Sequence, residues 1–452
     1  MPTGSTPPSA EFHVPRSYPS IKTSLPGPCA KAIVDRDRTY ASHAYLKEYP
    51  LVISRGAGVM VEDVDGNQFL DFMSGIAVSS TGYGHPRVVA AVQDAAARFL
   101  HICGSDFYFE GMAALAERLA RVAPGPSPKR VFLTNSGTEA TEGAIKLARH
   151  ATRRTALIAF KGAFHGRTTG ALALTSSKAR QHAGFGPLLP DVHHVDYPNR
   201  YRAPAGISDA EMVSLALEAI EGDLFTRHLD PADVAAIFVE PVQGEGGYLF
   251  PPDGFLRALR DLCDRHGILL VFDEIQCGIG RTGKMWACQH EDVEPDILLS
   301  AKGLGSGMPI GAFIAREAVD AWQGGAHGST FGGNPVCCAA ALATLDLVEG
   351  GLMANAATLG TQLMSGARRL AERHAVIGDV RGKGLMVGME MVKDRATREP
   401  HPEAARKLVQ TAFQRGLLLL TCGRSVVRVA PPLVIDGEDV QRGLALLAEC
   451  LE

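Results

Sequence analysis

The chain has no run of apolar residues approaching the ~20 needed to cross a membrane; residues 267–272 and 417–420 fall far short. Nor does it have an excess of basic charge. With 45 Lys and Arg against 49 Asp and Glu, it lacks the basic stripe that a nucleic-acid binder needs. Its nine cysteines form no Cys-x-x-Cys pair and sit singly, or side by side at Cys337 and Cys338, which argues against a disulfide framework or a zinc site. Residues 1–26 are rich in Pro, Ser and Thr and lack the apolar stretch of a secretory signal. The expectation is a soluble protein of the reducing cytoplasm whose partners are small molecules, with neither nucleic acid nor membrane nor metal, and with residues 1–26 as a loose arm.

What is present is enough apolar material, 46% of 452 residues, for a large core divided between two lobes. Short β-type runs at 131–133, 156–160, 234–239 and 268–272 alternate with helical patterns, which predicts an α/β fold with a mainly parallel sheet. Their near-continuous hydrophobicity suits strands covered on both faces. Before them, alternation around Asp65-Gly66 predicts a hairpin. After Asn334, a helix over 336–347 leads to strands at 384–391 and 426–434 and a closing helix over 438–451. The division expected is residues 27–74 as the first segment of a smaller domain, 75–335 as a large domain, and 336–452 as the rest of the smaller one.

Five segments carry chemistry. Asn135-Ser136-Gly137-Thr138 follows a strand and opens a helix, where free N–H groups and a positive dipole end suit a phosphate. Phe164-His165-Gly166-Arg167 offers an aromatic for stacking and a guanidinium for a carboxylate. Glu240 and Glu245 flank a glycine-rich turn at the end of a buried strand, where α/β sheets bind ligands. Asp273 follows a hydrophobic run, a costly place for a charge without a partner, and Gln276 lies one turn on. Lys302 sits among apolar and glycine residues, a setting that favours the neutral amine needed for a Schiff base. Taken singly, each has an ordinary reading as a helix cap, a packed loop aromatic, a solvated turn or a surface lysine.

Together, in this order, they resemble the class III pyridoxal phosphate-dependent aminotransferases. The match runs from Gly75-Ile76-Ala77-Val78 through Gly82-Tyr83-Gly84-His85-Pro86 and Gly328-Ser329-Thr330 to Val427-Arg428-Val429, so nearly the whole chain is covered. The resemblance implies fold type I and pyridoxal 5'-phosphate held on Lys302, with Asp273 at the ring nitrogen, Gln276 near the phenolic oxygen and Phe164 on the ring face. Ser136, Gly137 and Thr138 would bind the phosphate, joined by Thr330 of a neighbouring subunit; His165 and Glu240 would complete the cofactor site. Shared sites imply a homodimer, with a dimer of dimers left open.

Within the family the sequence looks most like 4-aminobutyrate aminotransferase. That likeness implies that Arg167 holds the distal carboxylate of the substrate, that Arg428 holds an α-carboxylate of 2-oxoglutarate, and that Glu245 covers Arg428 when no such group is present. Ile76 matches the apolar residue of those enzymes, where ornithine δ-aminotransferases tend to carry tyrosine. Phe164 departs from the tyrosine of many of them, and Gly104-Ser105-Asp106-Phe107-Tyr108 is more like a group that includes ornithine aminotransferases and amino-acid racemases. These remain alternatives. A more distant one is a nicotinamide-dependent dehydrogenase, because Gly278-Ile279-Gly280-Arg281-Thr282-Gly283 fits a dinucleotide fingerprint. That reading leaves the lysine, the phosphate turn and both arginines unexplained. A non-catalytic binding protein of the same fold would have had no use for Lys302 and Asp273.

Overall fold

The computed structural model describes residues 19–452. Seven strands form the central sheet in the order Lys129–Thr134, Gly311–Arg316, Ile297–Ser300, Leu269–Asp273, Val234–Val239, Ala156–Phe160 and Val192–Val195. The last five run parallel to one another. Alternate residues of one strand enter different cores: Ala156, Ile158 and Phe160 join one apolar cluster, and Leu157 and Ala159 the other. Both faces of the sheet are therefore covered, which explains the unbroken hydrophobic runs. Gly311–Arg316 is antiparallel to both its neighbours and was not anticipated. The short return from Ser300 leaves no room for a crossover helix, and an antiparallel strand needs none.

The hairpin at Asp65-Gly66 forms as predicted, pairing Met60–Asp63 with Gln68–Asp71. Ile53–Ala57 extends it on one side, and Leu417–Leu418, from near the other end of the chain, lies parallel to Gln68–Asp71. The two ends of the chain thus meet in one sheet. A further antiparallel sheet has the order Ile377–Lys383, Met386–Met391, Val426–Val429, Leu420–Cys422. The strand expected to run to residue 434 stops at Val429 because Pro431 and Pro432 cannot donate to a ladder.

Of the expected loose arm, residues 1–18 lie outside the described residues, and the remainder is not loose. Ser20 exchanges backbone hydrogen bonds of 3.0 and 2.9 Å with Gln68, and Asn67 Oδ1 accepts from the backbone N–H groups of Lys22 (2.7 Å) and Thr23 (3.0 Å). Composition alone gave no sign of that anchor.

The predicted helix over 336–347 is Pro335–Leu347, capped by the side chain of Asn334, which accepts from the N–H groups of Val336 and Cys337 at 3.0 and 3.3 Å. Through a wider turn containing Gly351 (φ 150°) it continues into Met353–Arg373. By length and apolar composition Pro335–Arg373 is a candidate membrane span. Its first half is a core helix instead, packed against Pro86–Arg98 and Glu110–Val122.

Candidate active site

The carboxyl ends of the parallel strands open on a cavity of about 410 Å³. Ser136, Gly137 and Thr138 line it at the start of the helix Gly137–Thr152, where the first N–H groups of the helix have no partner within it. Gly137 is required there: a Cβ would come within 2.7 Å of the Ile275 side chain. Thr138 Oγ1 accepts from the backbone N–H groups of Arg167 and Thr168, both at 3.3 Å, and so ties the helix start to the loop carrying Phe164 and His165.

That loop meets the end of the next strand but one. His165 Nδ1 lies 2.7 Å from Asp273 Oδ2, both residues buried, while Asp273 Oδ1 accepts from the Ile275 N–H at 3.0 Å. Burial alone would lower the pKa of His165, but the hydrogen bond and charge of Asp273, with Glu240 behind it, carry it above the ordinary histidine value. Glu240 does not reach the cavity wall. Its carboxylate accepts from the N–H groups of Phe164 (2.8 Å) and Gly244 (2.7 Å), bracing two loops, and burial pushes its pKa up to about 7.

Lys302 lines the cavity from the far side of Asp273, just beyond the strand Ile297–Ser300. Its backbone lies in the left-handed region (φ 41°), a strained setting for a lysine and one that clusters at functional sites. The residue keeps some surface open to the cavity, but its ammonium is buried. That burial lowers its pKa, against the opposing charges of Asp273 and Glu240. The side-chain oxygen of Gln276 is buried without a partner, as is Nε2 of His165.

The remaining residues divide. Arg428, 8% exposed at its side chain, donates from Nη1 to Glu245 Oε2 at 3.2 Å, as the resemblance implied, while its Nε is buried and unpartnered. Lys178 pairs with the other oxygen of Glu245. Arg167 lines the cavity but is exposed, its guanidinium 5.4 Å from the centre of the Phe164 ring. Ile76 lies outside the cavity wall, 44% exposed, in a turn whose residues Ser74, Gly75, Ile76 and Ala77 all have positive φ. Thr330 is exposed and is not brought to the cavity of its own chain.

With this geometry in hand, the family described as Aminotransferase class-III matches residues 40–451. The chain belongs to the class III aminotransferases. It is similar to an alanine/serine racemase of Pyrococcus horikoshii, 39% identical over 443 residues, 96% of this chain and 93% of that one. It is equally similar to a 4-aminobutyrate aminotransferase of Mycobacterium leprae, 39% identical over 435 residues, 95% and 97% of the two chains. Among solved structures, a Bacillus anthracis aminotransferase superposes with a TM-score of 0.87 at 30% identity, covering 96% of this chain and 99% of that one. The fold is type I of the pyridoxal phosphate enzymes, and the fingerprint at Gly278 to Gly283 is no dinucleotide site: only turns follow it, up to the short helix Ala287–His290, so no long helix presents its amino end there.

A class III aminotransferase works with pyridoxal 5'-phosphate, and the residues present suit that group. The cavity joins an N–H-rich helix start, fit for a phosphate dianion, to the Lys302 amine of lowered pKa and to His165, whose ring is bonded to the buried carboxylate of Asp273; Gln276, just behind the lining residue Ile275, keeps an unpartnered side-chain oxygen. One residue and one role escaped the sequence reading. Lys178 lies in the polar stretch Thr175-Ser176-Ser177-Lys178, which reads as a solvated loop. The bracing role of Glu240 has no local signal, because its partners are backbone groups 76 and 4 residues away.

Because the folded pKa of His165 is raised, the stability its charge contributes is complete below the unfolded value of about 6.5 and is lost as pH rises through the folded value. The variant His165→Gln should therefore fall further below the parent in denaturant unfolding at pH 6 than at pH 9. A gap that does not change with pH would mean that the imidazole is neutral throughout.

Proposed function

We propose that this aminotransferase moves an amino group from an ω-amino acid, 4-aminobutyrate first among them, to 2-oxoglutarate. The observation that carries the proposal is the pair Arg428–Glu245: a nearly buried guanidinium held by a single carboxylate contact. A buried cation needs a partner at all times. Glu245 serves when the substrate has no α-carboxylate, and the α-carboxylate of 2-oxoglutarate, forking onto the guanidinium and its free Nε, replaces it. Arg167, outside on the Phe164 ring, is open to the distal carboxylate that both substrates carry.

Pyridoxal phosphate, when bound, supplies an aldehyde that condenses with amines and a ring that takes up an electron pair. In this reading Ser136, Gly137 and Thr138 would hold its phosphate, with Phe164 and Gln276 contributing to the ring site. Asp273, oriented by His165, would hold the proton of the ring nitrogen. Lys302 carries the cofactor and, once its amine is free, takes the proton from the carbon bearing the substrate nitrogen. Its lowered pKa suits that task, since only the neutral amine can accept a proton. The face and atom to which the Lys302 ammonium would return that proton separate the two outcomes. Return to the opposite face of the substrate carbon would give racemisation, whereas amino transfer would require delivery away from that carbon, followed by water releasing the oxo product and by the 2-oxo acid taking up the amine.

Racemisation is the second reading, favoured by the identity to the Pyrococcus enzyme, which equals that to the 4-aminobutyrate enzyme. We also infer a homodimer with shared sites. The exposed Thr330 and the exposed apolar side chains Leu100, Phe107, Tyr108 and Phe331 support it. A monomeric mass by light scattering in the fully active enzyme would remove that inference.

Lys302→Ala should abolish turnover while leaving the circular dichroism of the fold unchanged; transamination at the parental rate would remove Lys302 from its role. For Arg428→Ala the loss in kcat/KM should be larger with 2-oxoglutarate than with 4-aminobutyrate, on the order of 100-fold against a few-fold. Equal losses would exclude the exchange of carboxylates. In the same assays enantiopure L-alanine should keep its optical purity; its loss faster than glutamate forms would make the chain a racemase.

A further inference from the structure

Glu245 is bound on both sides. Its Oε2 accepts from Arg428, and its Oε1 meets the ammonium of Lys178, whose side chain is 28% exposed at the end of the loop after the helix Thr169–Leu174. Among the described residues these are the two cations paired with Glu245. Arg381, a third buried cation of the same region, is already spent on Asp379 (2.6 Å), Glu390 (2.8 Å) and the carbonyl of Gly247. The backbone of Glu245 is fixed as well, since its carbonyl accepts from the Gly423 N–H at 2.8 Å. Only the side chain is left to move.

The two contacts are not equivalent. Arg428 lies on the strand Val426–Val429 and keeps an unpartnered Nε; Lys178 stands in the loop after the helix Thr169–Leu174 and takes the oxygen of Glu245 that Arg428 does not. Paired with Arg428, the Glu245 side chain is only 17% exposed, so a carboxylate displaced from the guanidinium within this region still needs a partner besides water. Resting on the substrate-exchange reading above, we propose that Lys178 is the dock for Glu245 in the open state, a positioning residue that sets how easily the site admits substrates with an α-carboxylate.

The energetic argument turns on the difference between the two states. With Arg428 covered, Glu245 has two cations and can lose one at small cost. With Arg428 occupied by substrate, Lys178 is its remaining cation, and losing it strands a partly buried charge. Removing Lys178 therefore penalises the open state more than the closed one. The selectivity of the enzyme shifts away from α-carboxylate substrates without any change in a group that touches them.

The test follows the two half-reactions of the cofactor-loaded enzyme separately, by the absorbance of the cofactor, in Lys178→Met and Lys178→Arg. For Lys178→Met, kcat/KM for 2-oxoglutarate should fall about fivefold to tenfold, the worth of one partly exposed ion pair, while the value for 4-aminobutyrate changes less than twofold. Lys178→Arg, which keeps the cation, should recover most of the loss. Calorimetric binding of glutarate gives a readout free of turnover. Glutarate offers the same distal carboxylate and a second one for Arg428, and its Kd should rise in Lys178→Met by the same factor. In a Glu245→Gln background, where no charge needs a dock, the Lys178→Met effect should vanish. Equal losses in both half-reactions, or an effect that persists with Glu245→Gln, would make Lys178 a loop anchor and overturn the proposal. Arg428→Ala run in parallel separates the two claims: if it divides the substrates and Lys178→Met does not, only the dock fails; if it does not divide them, the exchange reading fails and the dock with it.

Discussion

Asp273 carries its charge at the end of a strand that is buried on both faces, and that charge must be partnered where it stands. Leu270 and Phe272 belong to one core and Val271 to the other, so the strand leading to Asp273 offers apolar neighbours alone on both faces. The partner is His165, at 2.7 Å, on the loop after a different strand. From there the pairing spreads. The neighbouring Phe164 N–H is held by Glu240, which also holds the Gly244 N–H, and the Arg167 N–H is held by Thr138 at the phosphate-type turn. Four segments far apart in sequence are therefore placed relative to one another by a few hydrogen bonds, those to Asp273 and Glu240 being to buried carboxylates and expensive to leave unmade.

Strain is concentrated beside this network. Lys302 has a left-handed backbone, and so do Ser74, Gly75, Ile76 and Ala77 in succession, each non-glycine costing on the order of 1 kcal/mol or more. What holds the four-residue turn is polar and specific. Asp71 Oδ1 accepts from the N–H groups of Met73 (2.7 Å) and Ser74 (3.0 Å), and Ser74 Oγ donates to the Ala430 carbonyl at 2.6 Å. Ala430 immediately follows the strand that bears Arg428. The turn bearing Ile76 and the end of the strand bearing Arg428, far apart in the sequence, are thus tied to each other by this contact.

What could be read from the sequence and what could not divide along physical lines. The parallel strands were legible because burial on both faces writes itself as uninterrupted apolar runs, and the hairpin because Asp65-Gly66 has the turn chemistry of a two-stranded return. The family was legible from Lys302, Asp273 and the turn at Ser136 to Thr138 taken jointly, since each is ambiguous but their order along an α/β pattern is not. The Gly311–Arg316 strand was missed because its direction depends on the length of a loop rather than on its own residues. The anchoring of Ser20 was missed because it is backbone pairing to Gln68, to which composition is blind. Lys178 was missed because a lysine in a polar loop looks the same whether it faces solvent or a carboxylate delivered by a loop 67 residues away.

The two arginines illustrate how burial, rather than residue type, assigns a task. Arg167 is exposed and rests on an aromatic face; water and the ring satisfy it when no carboxylate is bound, so it needs no internal substitute. Arg428 is nearly buried, and left bare it would cost several kcal/mol in the low-dielectric interior. A protein with two such guanidinium groups can leave the first open but must build a removable partner for the second. That partner cannot be an apolar residue, which would leave the charge unmet, nor a carboxylate with no other place to go, which would never yield to substrate. Glu245, held between a buried arginine and a partly exposed lysine, meets both conditions, and it is on this asymmetry that the proposed exchange of carboxylates rests.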